Sequence, residues 1–408
     1  MRYSQVFPKT QKDAPKDAES INHQLLVRGG FVDQLMSGSW TFLPLGLRVL
    51  QKVVQIIREE MNAIGGQELV MPLLHPKEIW NETGRWDTAK EVMYQFKDSR
   101  DKEYALSFTH EEIVIDLCRK HVQSYKDLPL KIYQFSTKFR NEPRAKSGVL
   151  RGREFLMKDL YSIHTTEEDM YEYYWQVKDA YLRAFKRMGF ENVRVIEASG
   201  GVFTDNHTHE FQVLSETGED TIYYCDECDW GENKEIFNET VGGKCPKCGN
   251  GEIKETKSIE VGNIFPLGTR YSEKMNFTFT DENGEKKNPH FASYGIGPSR
   301  VVGTIVETNH DDRGIIWPEN VAPYDVHLVN IGVDADSIYA KLRQAGVEVI
   351  YDDRDLSAGE KFADADLIGI PVRLVVSEKT GDKIEWKNRT DNQTELLSVD
   401  EILSRLKK

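Results

Sequence analysis

The chain has 408 residues, 39% of them hydrophobic and 29% charged, with 67 acidic against 53 basic side chains for a net charge of −14. At roughly 150 residues per domain this is a globular protein of two or three domains, too acidic for a uniformly basic nucleic-acid coat, though not for a local basic patch. No apolar run reaches the roughly eighteen residues a membrane helix needs, and the opening MRYSQVFPKTQKDAPKD lacks the apolar core of a secretory leader, so a cytoplasmic protein with no membrane partner is expected.

Residues 1–44 mix polar turns with short apolar runs and define no element. From there Leu47, Leu50, Val53, Val54, Ile57 and Met61 recur at three- and four-residue spacing, which predicts one apolar face of a helix. Gly65-Gly66 ends it, and Glu68-Leu69-Val70-Met71 reads as a short strand stopped by Pro72. Cys118 sits among helix-like apolar neighbours and is expected to be a buried thiol. The stretches KIYQFSTKFR and EFLMKDLYSIH predict an antiparallel pair of strands joined by a long charged loop. Thr165-x-x-Glu168 reads as a capping box, followed by a helix burying Met170, Tyr173, Tyr174, Val177, Tyr181, Phe185 and Met188, with Gly189 as its stop. Residues 215–257 are polar, glycine-rich and carry four cysteines, the signature of a small insertion. Beyond Trp317-Pro318 strands and helices alternate, with helices expected near 335–345 and 358–368, so a mostly parallel α/β unit begins near residue 320.

The chain has five cysteines, an odd number that argues against a disulfide framework. Four fall in the pattern Cys225-x2-Cys228-x16-Cys245-x2-Cys248. Each CxxC makes a tight turn presenting two sulfurs, and two such turns make a tetrahedral thiolate site for zinc. Four thiolates leave no open ligand position, so this zinc is expected to be structural. Reduced thiols without metal are the plainer alternative.

Between Lys138 and Lys158 lie seven basic residues and two acidic ones, a local balance of +5. Guanidinium forks match phosphate oxygens, so this loop suits a polyphosphate; on composition alone a solvated charged hairpin fits as well. Tyr294-Gly295-Ile296-Gly297-Pro298-Ser299-Arg300 places glycines before an arginine that opens a helix, which alone could be a structural turn. No GxxxxGK[ST] is present, so a P-loop is excluded.

Together these stretches resemble the three motifs of a class II aminoacyl-tRNA synthetase. The first is the helix from Leu47 to the strand ending at Pro72. The second is Phe139-Arg140-x-Glu142 with the loop to Arg151-Gly152-Arg153-Glu154-Phe155, and the third is Gly295-x-Gly297-x-x-Arg300. Segments such as LLVRGGF, SFTHEE, REFLMKDLYSIH, SGGVFTDNHTHEF, EVGNIFPLGTRYSEKM and YGIGPSRVVG are similar to the bacterial prolyl-tRNA synthetase family in particular. The resemblance implies an α+β catalytic domain, an antiparallel sheet flanked by helices, over residues 1–214 and 258–319. It implies a zinc-knuckle insertion over 215–257 and an α/β anticodon-binding domain over 320–408. It also implies a homodimer.

The implied reaction activates L-proline with ATP and Mg2+ and transfers it to the 3′ end of tRNA(Pro). Arg140 and Arg300 would be catalytic. Arg140, Glu142, Arg151, Phe155 and Arg300 would bind ATP. Thr109, Glu111, Arg140, Met157, Asp159, Phe203 and His209 would bind proline, with a structural role open for His209. Glu260 is one candidate among several acids for magnesium. The chain departs from the family at Asn263, Ser293 and in the short interval between the second and third motifs, which leaves no editing domain in cis. A separate alanyl-tRNA(Pro) deacylase is the implied partner, because missing methylenes discriminate by only about 1–3 kcal/mol. From residue 320 onward 12 basic and 17 acidic residues make tRNA contacts through base edges and stacking the expectation, with Arg354, Lys361 and Arg373 as candidate phosphate contacts. Another class II synthetase, a tRNA-binding homologue without catalysis and a nucleic-acid-binding zinc ribbon are the competing readings.

Overall fold

The computed structural model describes residues 1–201, 203–204 and 206–406. The chain forms two compact units. The larger combines Met36–Ser39 with Val54–Thr304, and the smaller combines Met1–Leu35, Trp40–Val53 and the chain from Ile305 onward.

The larger unit is built on a nine-stranded sheet. Across it the strands run Thr208–Leu214, Val193–Ala198, Gly231–Asn233, Asp220–Cys225, Ile253–Gly268, His290–Ile296, Glu154–His164, Leu130–Phe139 and Gln67–Glu68. The expected antiparallel pair forms toward one side of it, next to the edge strand Gln67–Glu68, with Leu130 opposite Ile163 and Phe139 opposite Glu154. The long strand Ile253–Gly268 serves three neighbours. Its first residues pair with Asp220–Cys225, its middle with Thr208–Leu214, and its later part with His290–Ile296. The segment read as an outlying insertion therefore contributes two strands to the main sheet.

The helix Glu167–Arg187 covers strands Glu154–His164, Ile253–Gly268 and His290–Ile296. It buries Met170, Tyr173, Tyr174, Val177, Tyr181 and Phe185, as its spacing predicts. Its cap falls one residue later than expected: the Thr166 hydroxyl accepts from the Asp169 amide, and the Asp169 carboxylate meets His164 Nδ1 at 2.7 Å. The opening helix runs Pro44–Ala63. The strand after it is shorter than expected, Gln67–Glu68. The Met71 amide donates to Gln134 Oε1 at 3.0 Å, so a side chain replaces the ladder bond. On the other side of the sheet a core of Trp80, Phe108, Ile115, Tyr161, Phe291 and their neighbours includes Cys118. Burial pushes the Cys118 thiol up to about 12, in keeping with a packing role.

In the smaller unit, strands Val349–Asp352, Val326–Ile331 and Val372–Ser377 run parallel, joined through helices Asp336–Gln344 and Ala358–Ile368. Ser357 caps the second helix with Glu360, and Gly369 ends it at φ 79°. Two antiparallel strands, Ile384–Asn388 and Glu395–Leu397, complete the sheet. The three cations singled out for tRNA phosphates are engaged within this unit. Arg354 pairs with Asp352 and Asp364 at 2.7 Å each, Lys361 is buried against Asn330 Oδ1 at 2.7 Å, and Arg373 pairs with Asp366 at 3.3 Å over the Phe362 ring. Among the described residues no helix is long and apolar enough to cross a membrane.

Candidate active site

A cavity of about 530 Å³ opens on the larger unit. Thr109, Glu111, Arg140, Met157, Asp159 and Phe203 line it, as do Glu142, Arg151, Phe155 and Arg300. Residues spread over nearly two hundred positions converge because four segments end at one place. These are the start of helix Glu111–His121, the antiparallel strands Leu130–Phe139 and Glu154–His164, and the start of helix Pro298–Thr308.

Arg140 follows the strand Leu130–Phe139 directly. Its Nε donates to the Phe108 carbonyl at 3.3 Å, its Nη2 lies 3.9 Å from Met157 Sδ, and its guanidinium sits 5.3 Å from the Phe155 ring centroid. No carboxylate pairs with it among the described residues. Burial, with Arg300 nearby, holds its pKa below the usual arginine range. It is a desolvated cation facing a cavity, the state that an entering anion relieves.

The other two arginines are partnered. Arg300 Nε donates to the Leu150 carbonyl at 2.8 Å, and its Nη1 meets the Glu260 carboxylate at 3.2 Å. Arg151 Nε meets Glu142 Oε2 at 2.9 Å, and its Nη1 contacts Glu219. Burial would raise Glu142, but the Arg144 amide and Arg151 outweigh it and keep its carboxyl below the usual range.

At the other end, Thr109 Oγ1 donates to Glu111 Oε2 at 2.5 Å. Asp159 forms an ion pair with the buried Lys138, which also reaches Ser136 Oγ at 2.8 Å and His110 Nδ1 at 2.6 Å. Phe203 packs on Phe265 at 5.1 Å between centroids. A Cβ at Gly295 would stand 2.5 Å from Met157 Cε, so the methionine's terminal methyl would have to move. His209 lies apart. It does not line the cavity, its Nδ1 meets Tyr174 Oη at 2.8 Å, and its ring packs on Trp175.

The cavity also takes residues that sequence reasoning passed over. Glu219, Asp220, Asn233 and Glu235 come from the cysteine-bearing segment, and Glu210 from the strand Thr208–Leu214. Polar residues at alternate positions of a strand, Glu210 and Gln212, were the available signal. Glu210 is pushed up to about 8, first by burial and then by the charge of Glu260. Burial raises Glu260 as well, against the pull of Arg300.

The four cysteines converge as their spacing predicts, all sulfurs lying within 4.8 Å of one another. Cys225 and Cys248 are 3.7 Å apart, Cys228 and Cys245 3.6 Å. Zinc–sulfur bonds of about 2.3 Å in a tetrahedron put sulfurs about 3.8 Å apart, so the set fits a metal ion. Amides of Glu227, Trp230 and Gly251 donate to three of the sulfurs at 3.4–3.5 Å.

Comparison with known proteins decides the family. The tRNA synthetase class II core domain (G, H, P, S and T) matches residues 94–309, and the anticodon binding domain matches residues 325–408. The proline–tRNA ligase of Agrobacterium fabrum is 38% identical over 441 residues, covering 99% of each chain. The chain belongs to the proline–tRNA ligase family. It is an aminoacyl-tRNA synthetase that activates proline with ATP and joins it to tRNA(Pro). The proline–tRNA ligase of Geobacillus sp. (strain WCH70) is 35% identical over 564 residues, covering 100% of this chain and 99% of its own length. Against 408 residues here, that alignment length fits a ligase without a large insertion. Two solved structures share the fold at 19% identity and a TM-score of 0.78, each covering 94% of this chain and 75% of the other. One is prolyl-tRNA synthetase of Cryptosporidium parvum complexed with halofuginone and AMPPNP, the other that of Giardia lamblia with prolyl-adenylate.

Proposed function

We propose that this cavity is where the ligase forms prolyl-adenylate, with Arg140 at the reacting centre. The observation that carries this is the Arg140 guanidinium, paired with no carboxylate among the described residues, between the Thr109–Glu111 end and the Phe155–Arg151–Arg300 end. The proline carboxylate attacks the α-phosphorus of ATP. A carboxylate-oxygen-to-phosphorus bond forms and the bond to pyrophosphate breaks. Arg140 bridges the proline carboxylate and the α-phosphate, holding both in line and taking up charge as it develops. Arg151 and Arg300 hold the outer phosphates, exchanging their carboxylate partners for phosphate oxygens. Glu142 accepts from the adenine amino group and Phe155 stacks on the base. Thr109 and Glu111 hold the secondary ammonium, while Met157, Phe203 and the Lys138-supported Asp159 shape the ring pocket. His209 supports that wall through Tyr174 rather than touching proline.

Magnesium comes with ATP, and Glu260 and Glu210 fit it: their burial and mutual repulsion favour a cation between them. When bound, the ion neutralises phosphate charge. The four cysteines hold a structural Zn2+, whose turns anchor the strands Asp220–Cys225 and Gly231–Asn233 at the cavity wall. We divide the chain into a catalytic domain over 1–214 and 258–319, a zinc-holding insertion over 215–257 and an anticodon-binding domain over 320–408. Val70, 87% exposed beside the edge strand Gln67–Glu68, supports a homodimer through that edge. A sizing column should then give twice 46.9 kDa. Proofreading of alanyl-tRNA(Pro) falls to a separate deacylase, and the enzyme works in the cytoplasm with the rest of translation.

ATP–pyrophosphate exchange with proline and alanine in parallel tests this reading. Strong exchange with proline and weaker exchange with alanine are expected. A folded Arg140→Met variant that keeps its proline-dependent exchange would overturn the site assignment.

A further inference from the structure

Behind the cavity wall lies a second buried arginine that the scheme above leaves unused. Arg85 opens the short helix Arg85–Thr88 and is 7% exposed. Its Nη1 donates to Glu111 Oε2 at 3.3 Å and to Glu112 Oε2 and Oε1 at 3.1 and 3.2 Å. Glu112 is closed in by Thr83 Oγ1 at 2.7 Å. Nε and Nη2 find no oxygen partner among the described residues. Aromatic rings surround the guanidinium instead: Phe108 at 4.9 Å, Phe203 at 5.1 Å, Trp80 at 5.6 Å and Tyr271 at 5.7 Å from its central carbon to the ring centroids.

One side chain thus touches both halves of the amino-acid pocket from behind. Glu111 and Phe203 line the cavity, and Arg85 contacts each. Its edge supplies the hydrogen bond to the carboxylate, and its flat face supplies the seat for the ring. A lysine has neither a fork nor a face to do both. We propose that Arg85 is a positioning residue for amino-acid recognition, aiming the Glu111 carboxylate at the ring ammonium and holding Phe203 over the pyrrolidine. The class of substrate that this selects is a cyclic secondary amine. Loss of Arg85 therefore acts on the binding of proline rather than of ATP. This rests on the assignment of Glu111 and Phe203 above.

The test is ATP–pyrophosphate exchange with Arg85→Lys, which keeps the charge, and with the double variant Arg85→Met/Glu112→Gln. The double variant removes a buried cation together with one of its two buried anions, so the net charge there is unchanged and only the Glu111 carboxylate, the group under test, loses its cation. For folded variants the expected result is a KM for proline raised at least tenfold and a KM for ATP changed less than twofold. A purely structural role would leave the proline KM unmoved in the folded variants, or shift both constants alike, and either result overturns the proposal. Glu111→Gln runs alongside. If it leaves the proline KM unchanged, the ammonium site itself is misassigned, a failure distinct from that of Arg85.

Discussion

The Arg140 guanidinium lies 5.3 Å from the Phe155 ring centroid with no carboxylate paired to it among the described residues, while Arg151 and Arg300 are each held by one. A desolvated, unpaired cation costs stability and is useful only to a ligand. Replacing it with a neutral residue of similar length should raise the melting temperature while abolishing activity. Arg140→Met is expected to melt about 2–4 °C higher for each kcal/mol regained and to show no proline-dependent exchange. Arg140→Lys should lose at least about a hundredfold in exchange, because one ammonium cannot reproduce two parallel bonds. A drop in melting temperature for Arg140→Met would contradict the desolvation argument.

The cysteine cluster stands on a strand that also faces the cavity. Cys225→Ser/Cys228→Ser should lose one equivalent of bound zinc and melt lower. Its KM for ATP should rise several-fold, with a smaller change for proline, since Asp220 and Asn233 are displaced rather than Glu111. Metal analysis and exchange kinetics check this. An unaltered ATP KM in a metal-free, folded variant would separate the cluster from the nucleotide site.

No proofreading site accompanies the synthetic one in this reading. Alanyl-tRNA(Pro) incubated with the pure enzyme should therefore decay no faster than in buffer, and prolyl-tRNA(Pro) equally so. Time courses of acid-precipitable label decide it, and rapid loss of the alanyl ester alone would reveal an editing activity.

His75 and His110 share the Pro72 carbonyl, at 2.8 and 3.0 Å, with ring centroids 4.9 Å apart. Burial is the main cause that lowers both, to about 4 for His75 and about 2 for His110, with Lys138 adding to it. The folded state thus keeps them neutral where the unfolded chain, with an ordinary pKa near 6.5, takes up protons. Their neutrality carries no penalty above about pH 6.5. Below that, stability should fall by up to about 1.4 kcal/mol per pH unit for each histidine. For His75 the fall ends near pH 4. Urea titrations at pH 7, 6 and 5 should show it, and His75→Gln should flatten the slope. A flat profile in the wild type would mean that neither histidine is held neutral.

Much of the site was legible in the sequence because its residues sit in dense local motifs. Arg140 and Glu142 follow one strand, Phe155 and Met157 start the next, and Gly295 to Arg300 link a strand to a helix. The resemblance to the class II motifs, rather than chain order, implied that they meet in one cavity. The cysteine spacing was legible for the same reason, since a CxxC turn is a local object. What could not be read were relations across the sheet. Glu219 beside Arg151, Glu210 beside Glu260 and Arg85 behind Glu111 depend on register and on which segment packs where. His209 fell within a motif-like stretch, yet its side chain turns toward Tyr174. The cap forms at Thr166 rather than Thr165, with the Asp169 carboxylate turned to His164 Nδ1 instead of back to the cap.

The long strand Ile253–Gly268 acts as a ruler for the whole larger unit. It sets the heights of three neighbours at once, with Ser258 opposite Asp220 and Leu214, and Gly262 opposite Ile296. It carries a bulge at Val261, since Gln212 faces Glu260 and Phe211 faces Gly262; a residue lost on either side of that bulge would turn the later side chains to the opposite face. The exposed turn over 238–241 belongs to no strand of that sheet, so added length there would leave both CxxC turns and the count along the ruler unchanged.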